Sequence, residues 1–442
     1  LLFNVQVKLL NRIIILIFVS SVIEESSWSL VHTIALVSFS LSTMIEAYIY
    51  SISYIATGWV SVPRYLTALL TIWPPLWLLI GGVTMGPLSD LIGRRNTLYL
   101  TLLMYIVGAI GLTIGGGYLT LLLFLSLLLM ATGGEYNTVM AATHEYFPRR
   151  VRSRVVFLVL NFTNLGGALA SALAFLNLSS VLMQRLAIGL TLVVTVPILY
   201  VIRGMLPESV MWLEAVGKGD VAAGEVERFL KVNANGSSAS MWPITTVNQP
   251  PMWLRVLVGG LIGWAYTAGF SLLALTLGPY FLPSLTNQLI LVFSIASFAS
   301  GIPISLLADS VSRRLLLLAS SVGVSLTSLA IAITVNHWSS NLNLFWPLYI
   351  TFSVLVNAYF LTEDTLKSEY WRVSRRGTFT ALVRVISLGG SIPVIFTSAY
   401  IPINMYLIMD TAIFSVGTAA SILWYIAGIE TGRGVSVRVW GK

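Results

Sequence analysis

The 442-residue chain contains no cysteine, which excludes a disulfide framework and any thiolate nucleophile. Charge is nearly as scarce. Asp, Glu, Lys and Arg make up 10% of the residues, where a soluble domain carries about 25%. His32, His144 and His337 are scattered without metal-ligand spacing, and there is neither a nucleotide-binding glycine loop nor a nucleophile elbow. These absences leave no visible enzymatic chemistry and call for no cofactor or metal. A net charge of +8 could point to nucleic acid, but the cations sit in short clusters between apolar runs and form no extended basic face.

Apolar residues fill the space instead, at 57% of the chain. Runs of the ~20 residues needed to cross a bilayer recur throughout. They cover 30–57, 66–89, 96–115, 118–143, 155–177, 181–203, 255–279, 285–308, 315–335, 344–365, 378–400 and 403–428. A lone segment in lipid satisfies its backbone only as a helix, and these runs lack the alternation of barrel strands. The expected fold is an all-α polytopic membrane protein with twelve spans. With the N-terminus in the cytoplasm, every one of the 25 Lys and Arg residues lies on the cytoplasmic side except Arg64, Arg185 and Arg384. Both termini are therefore expected in the cytoplasm, and the protein in the plasma membrane. Residues 12–23 form an apolar run too short to span, read as part of a cytoplasmic leader over 1–27. The other expected units are a six-helix bundle over 28–203, a cytoplasmic linker over 204–254 with some helix, a second bundle over 255–428, and a tail over 429–442.

The chain also repeats itself. Asp90-Leu-Ile-Gly93-Arg94-Arg95 recurs as Asp309-Ser-Val-Ser-Arg313-Arg314. Glu145 and Arg152 have the spacing of Glu369 and Arg376, and Leu165-Gly166-Gly167 recurs as Leu388-Gly389-Gly390. Three matches in one order mark a duplicated unit, the architecture of a secondary transporter. Each Asp ends one span just before a short turn, where it can accept from the N–H groups opening a helix of the other half. Span eleven is the expected partner of Asp90, and span five that of Asp309. Gly86 permits close approach and Gly93 a tight turn. Glu145–Arg152 and Glu369–Arg376 are expected to tie adjacent helices, so that the words together latch the cytoplasmic face. The bland alternative is that the arginines only set topology.

These residues carry a resemblance. Gly86-Pro-Leu-Ser-Asp90-Leu-Ile-Gly93-Arg94-Arg95 resembles the signature of the major facilitator superfamily. Glu145-Tyr-Phe-Pro148-Arg149-Arg150-Val-Arg152 is similar to a loop motif of its sugar-porter and metabolite:proton symporter branches, and Pro207-Glu208-Ser209-Val-Met-Trp212-Leu213 to the segment those branches carry after span six. His32, followed by Glu46-Ala47-Tyr48, is similar to the opening of their first span. The resemblance covers about 25–428 and implies two pseudo-symmetric six-helix bundles around a central substrate site, with Glu208 among the gating residues. The chain departs from the pattern at Ser305, Ser312 and Arg372 in the second copies, and at Leu125, where the family often has arginine. The paired glutamines of sugar porters are absent between Gly260 and Tyr280, which speaks against a hexose.

A charge in mid-membrane usually faces the bundle interior and marks a pathway. Glu46 stands in mid-span one and Glu135 follows Gly133-Gly134 in span four. Both are candidate proton carriers, because burial disfavours the charged form of a carboxyl; each could equally be a fixed structural bond. Arg384 in span eleven could meet an anionic substrate, although a pair with Glu363 or Asp364 is the nearer explanation. Tyr48, Tyr54, Asn137, Asn161, Asn164, Trp264, Tyr266 and Asn357 are further candidates for lining a cavity. The expected function is proton-coupled symport of a small polar metabolite, a sugar or organic acid, by a monomer whose partners are substrate, protons and bilayer. A proton-driven exporter of hydrophobic compounds and a non-transporting receptor are the alternatives.

Overall fold

The computed structural model describes residues 26–115, 117–176, 180–230, 250–369, 371 and 373–431. Most of the expected leader, linker residues 231–249, Arg372 and the tail from 432 lie outside the described residues. Twelve helices are long and apolar enough to cross a membrane. Spans one to six are Leu30–Gly58, Arg64–Ile92, Arg94–Ile114, Tyr118–Tyr146, Arg152–Phe175 and Val181–Gly204. Spans seven to twelve are Met252–Phe281, Pro283–Leu307, Arg313–Ile333, Phe345–Glu369, Arg376–Ser398 and Ile403–Ala427.

Polar punctuation sets the ends. Ser180 and Ser312 accept from the N–H groups of Met183 and Leu315 and so start spans six and nine. Gly93, at φ +99°, breaks the chain between spans two and three. Small residues bring the helices together where lipid offers no hydrophobic drive. Gly133 lies against the Leu78 backbone and Gly166 against the Met44 carbonyl, which closes the span two–four and span one–five interfaces. Side chains such as Ile114, Leu119 and Ile426 stay on the outside, as apolar groups do when the surroundings are hydrocarbon.

Spans one to six pack mainly on one another, as do spans seven to twelve. Two large interfaces join the groups, span two on span eleven and span five on span eight. These are equivalent under the repeat. Ser271–Thr276 in span seven forms a π-helical stretch whose Leu272 carbonyl accepts from the Tyr406 hydroxyl. After span six, the short helices Val210–Ala215 and Gly219–Leu230 pack together around Trp212, Leu213, Ala222 and Val226. The clustered arginines 94–95, 149–154, 313–314 and 375–376 lie at one end of the bundle, called here the basic face.

Candidate functional site

Between the two groups lies a cavity of about 100 Å³, counted as the space open to water centres. A single water occupies roughly 10–15 Å³ on that measure, so there is room for one small metabolite. Glu46 and Tyr50 of span one reach it, with Tyr136, Asn164 and Tyr266 from spans four, five and seven. Span ten adds Asp364 and Lys367, and span eleven adds Arg384. Both halves thus contribute charge to one space.

Two groups of charge occupy the wall. Lys367 Nζ lies 3.0 Å from Glu363 Oε1 and also pairs with Asp364. With that ammonium in place Arg384 does not pair with Glu363 or Asp364, contrary to expectation. It donates to Asn137 Oδ1 at 3.1 Å, stacks 4.2 Å from the Tyr136 ring centre, and stands 3.9 Å from Glu46 Oε1. Glu46 Oε2 is buried without a hydrogen-bond partner.

Of the other residues expected on the wall, Asn164 and Tyr266 are there. Glu135 is not. It pairs with the buried Arg203 and accepts from Thr101 Oγ1 at 2.6 Å, which is the fixed structural bond weighed against the carrier role. Tyr48 also points away and donates to the Ile188 carbonyl at 3.0 Å. Tyr50, four residues after Glu46, takes its place because side chains four apart share a helix face. Tyr54, Asn137, Asn161, Trp264 and Asn357 stand behind the wall. Asn164 on the wall joins Asn161 and Asn357 behind it in a bridge between the halves. Asn164 Nδ2 donates to Asn161 Oδ1 at 3.1 Å and to Asn357 Oδ1 at 2.9 Å, while Asn357 Nδ2 donates to the Ser297 carbonyl at 2.7 Å.

At the basic face the repeated words meet across the halves. Asp90 Oδ2 accepts from Thr378 N at 2.9 Å and Thr378 Oγ1 at 2.8 Å, in the first turn of span eleven. Asp90 Oδ1 accepts from Arg94 Nη1 at 2.7 Å. Gly86 and Gly377 touch; a Cβ on Gly86 would lie 3.0 Å from the Gly377 carbonyl. Asp309 reaches the start of span five through a side chain rather than the backbone, with Arg154 Nε 2.8 Å away. His144 Nε2 and Ser368 Oγ close a third cross-half contact at 2.7 Å.

The acids of the second word bond differently from expectation. Glu145 takes Arg94 Nη2 at 3.0 Å and Ser209 Oγ at 2.6 Å from its own half, and Arg376 Nη1 at 3.5 Å from the other. Glu369 takes Arg313 Nη2 at 3.3 Å. Arg152 turns back on the end of span four and donates to the Phe147 carbonyl at 3.1 Å. A helix end has free carbonyls that attract a nearby guanidinium, which accounts for that turn.

Glu208 bonds the N–H groups of Arg94 at 2.9 Å and Arg95 at 3.2 Å, opening span three. Burial pushes its carboxyl above the usual range, against the pull of the backbone donors of Ser209, Arg95 and Arg94. Arg95 itself reaches the Gly204 carbonyl at 3.4 Å. Glu430 does the same for span nine, accepting from Arg313 N at 2.8 Å and from Ser312 Oγ. Arg314 lies 3.7 Å from Glu430 and donates to the Tyr425 carbonyl. Sequence reasoning missed Glu430, although Glu430-Thr431 after span twelve parallels Glu208-Ser209 after span six. It also missed Lys367, Arg203 and Arg154, whose burial or reach no local pattern reveals.

Gly93 offers a local test. Its φ of +99° with ψ 164° is a conformation that only glycine adopts readily. A Cβ there would also collide with the Glu208 carboxylate, whereas one on Gly217, at φ +80°, would meet nothing within 4 Å. Gly93→Ala is expected to cost about 1–3 kcal/mol and to lower the thermal midpoint in detergent more than Gly217→Ala does. Equal midpoints for the two variants would show that Glu208 does not hold this turn.

The family model described as Major Facilitator Superfamily matches residues 17–394. Among curated proteins, the glucose transporter GlcP of Staphylococcus epidermidis is 29% identical over 196 residues, 42% of this chain and 43% of that protein. The niacin transporter NiaP of Acinetobacter baylyi is 28% identical over 96 residues, 22% of each chain. These matches span less than half of each relative. The solved structure of the proton:xylose symporter XylE bound to 6-bromo-6-deoxy-D-glucose superposes with a TM-score of 0.72 at 13% identity, covering 92% of this chain and 97% of that one.

Proposed function

Because the chain belongs to the major facilitator superfamily, a family of multi-pass membrane transporters of small molecules, we propose that it carries a small polar metabolite together with protons, by alternating access. The observation that carries the proposal is Glu46. It is a carboxyl at the wall of a cavity shared by both halves, with one oxygen unpartnered. A proton arriving there changes the charge of the substrate's own chamber, which is what coupling requires. The cross-half contacts at the basic face supply the second element, a gate that breaks and reforms as one group rocks on the other.

The distribution of Lys and Arg supports a cytoplasmic basic face with both termini on that side, in the plasma membrane, with the monomer as the working unit. A sugar and niacin are the cargoes named for the curated relatives. They frame the substrate range as a sugar or an organic acid.

The test uses purified protein in liposomes with an imposed pH gradient, after a thermal-shift screen has found ligands. Uphill accumulation that collapses with a protonophore is the expected result. Ligand expelled against the inward proton gradient would make the protein an exporter. Binding with no flux in either direction would make it a receptor.

A further inference from the structure

Glu46 and Arg384 face each other from opposite halves at 3.9 Å, beyond hydrogen-bonding reach. The two are not equivalent. A carboxyl can shed its charge by taking a proton, whereas a guanidinium keeps its charge at any working pH. The pair can therefore become net positive but never net negative. Arg384 is already held in place by Asn137 and by the Tyr136 ring. Among the described residues no acceptor other than Asn137 lies within hydrogen-bond distance of it, so the rest of its planar fork is uncommitted. Such a fork matches the two oxygens of a carboxylate. An organic cation bound at Glu46 would stand beside this fixed positive charge.

We propose that the substrate is a small organic monocarboxylate with an apolar, ring-sized body, whose carboxylate docks on Arg384 when Glu46 takes up the accompanying proton. This deepens the proton-coupled reading above and rests on it. The wall suits the body of such a molecule: Tyr50, Tyr136, Tyr266, Phe270, Phe293 and Phe360 surround the space, and rings stack on flat apolar groups.

The other charges near Glu46 have ion-pair partners within the protein. Glu135 from span four is paired with Arg203. Glu363 and Asp364 from span ten share Lys367. The phenols of Tyr50, Tyr105 and Tyr266 also stand near enough to feel the Glu46 charge. The proton balance is simple. A Glu46 oxygen forms one O–H bond with a proton from the compartment that supplies the substrate, and that bond breaks when the cavity opens to the other side. One proton and one carboxylate cross per cycle, and no net charge moves.

The test is equilibrium binding of radiolabelled benzoate to the purified full chain in detergent, with benzamide and benzylamine as the neutral and cationic shape controls. Wild type is expected to bind benzoate in preference to both, and to lose affinity by up to about tenfold for each unit rise in pH. Glu46→Gln is expected to bind benzoate with no pH dependence. Arg384→Gln is expected to weaken benzoate by at least about 30-fold while leaving benzamide unchanged. If Arg384→Gln fails to fold, the pH profile of Glu46→Gln still decides. Benzylamine bound in preference to benzoate, no benzoate binding by wild type, or an unaltered pH profile in Glu46→Gln would overturn the proposal. The two readings separate by their assays. Benzoate bound as described but not accumulated in liposomes upholds the carboxylate site at Arg384 and defeats transport. Uphill accumulation of glucose by a protein that does not bind benzoate defeats this inference and leaves transport intact.

Discussion

Glu46→Gln is expected to abolish accumulation driven by a pH gradient while keeping exchange of substrate for substrate. The amide keeps the size of the carboxyl and stands for its protonated form. Because Glu46 is a wall residue facing Arg384 across the halves, its proton is felt by both sides of the chamber. A variant fixed in the protonated form still lets the loaded carrier rock, so exchange continues. It has no proton to release, so uphill transport stops. The two fluxes are to be compared in the same liposomes, with and without a gradient. Wild-type accumulation by Glu46→Gln would remove the carboxyl from the coupling step. Loss of both fluxes would assign it a purely structural part.

Asp90→Ala is expected to shift the resting protein toward a state open at the basic face. Asp90 receives two hydrogen bonds from Thr378 across the halves. Bonds to a charged group contribute about 1.5–3 kcal/mol each, so losing even one moves the equilibrium by at least about tenfold. Arg94 keeps Glu145 as a partner, which is why Asp90 is a better target than Glu145, whose loss would also take the acid from the buried Arg376. The absence of cysteine supplies the readout. Thr163 lies on the cavity wall, and Thr163→Cys would be the only thiol in the chain. Its labelling by an impermeant maleimide added to the basic face should rise about tenfold or more in the Asp90→Ala background. Unchanged labelling would mean that Asp90 does not hold that face shut.

Much of the fold was legible in the sequence because lipid leaves so few options. An apolar run of spanning length must be a helix, and the charged words at its ends fix where it stops. The twelve segments read from composition lie within a few residues of the twelve helices. The latch was legible in part. Repetition pointed to matching places for Asp90 and Asp309 and suggested which helix each meets. It did not show that Glu145 would take its long-range partner from Arg376 instead of Arg152. That choice depends on how closely the halves approach at Gly86 and Gly377, a distance no local pattern encodes. The cavity was the least legible part. Glu46 announced itself as an isolated charge, but which neighbour faces it depends on helix rotation. Two residues decide between Tyr48, buried against Ile188, and Tyr50, on the wall. Lys367 was counted as one more cation at a helix end. Only its place over Glu363 and Asp364 shows that it frees Arg384 from them.

The two cross-half ion pairs of the basic face are unequal, and the proposed gate inherits that inequality. Glu145 is fully enclosed and Arg376 nearly so, whereas the Arg154 side chain that reaches Asp309 is 50% exposed. Dissolved ions weaken an exposed pair and barely touch an enclosed one. In the proposed gate, salt is therefore expected to release the span five–span eight corner first, while the corner on span eleven still holds. Opening would then begin as a tilt about one edge, with water entering from one side of the seam. Two sequence copies that read alike would act in succession, one as the pivot and the other as the leading edge.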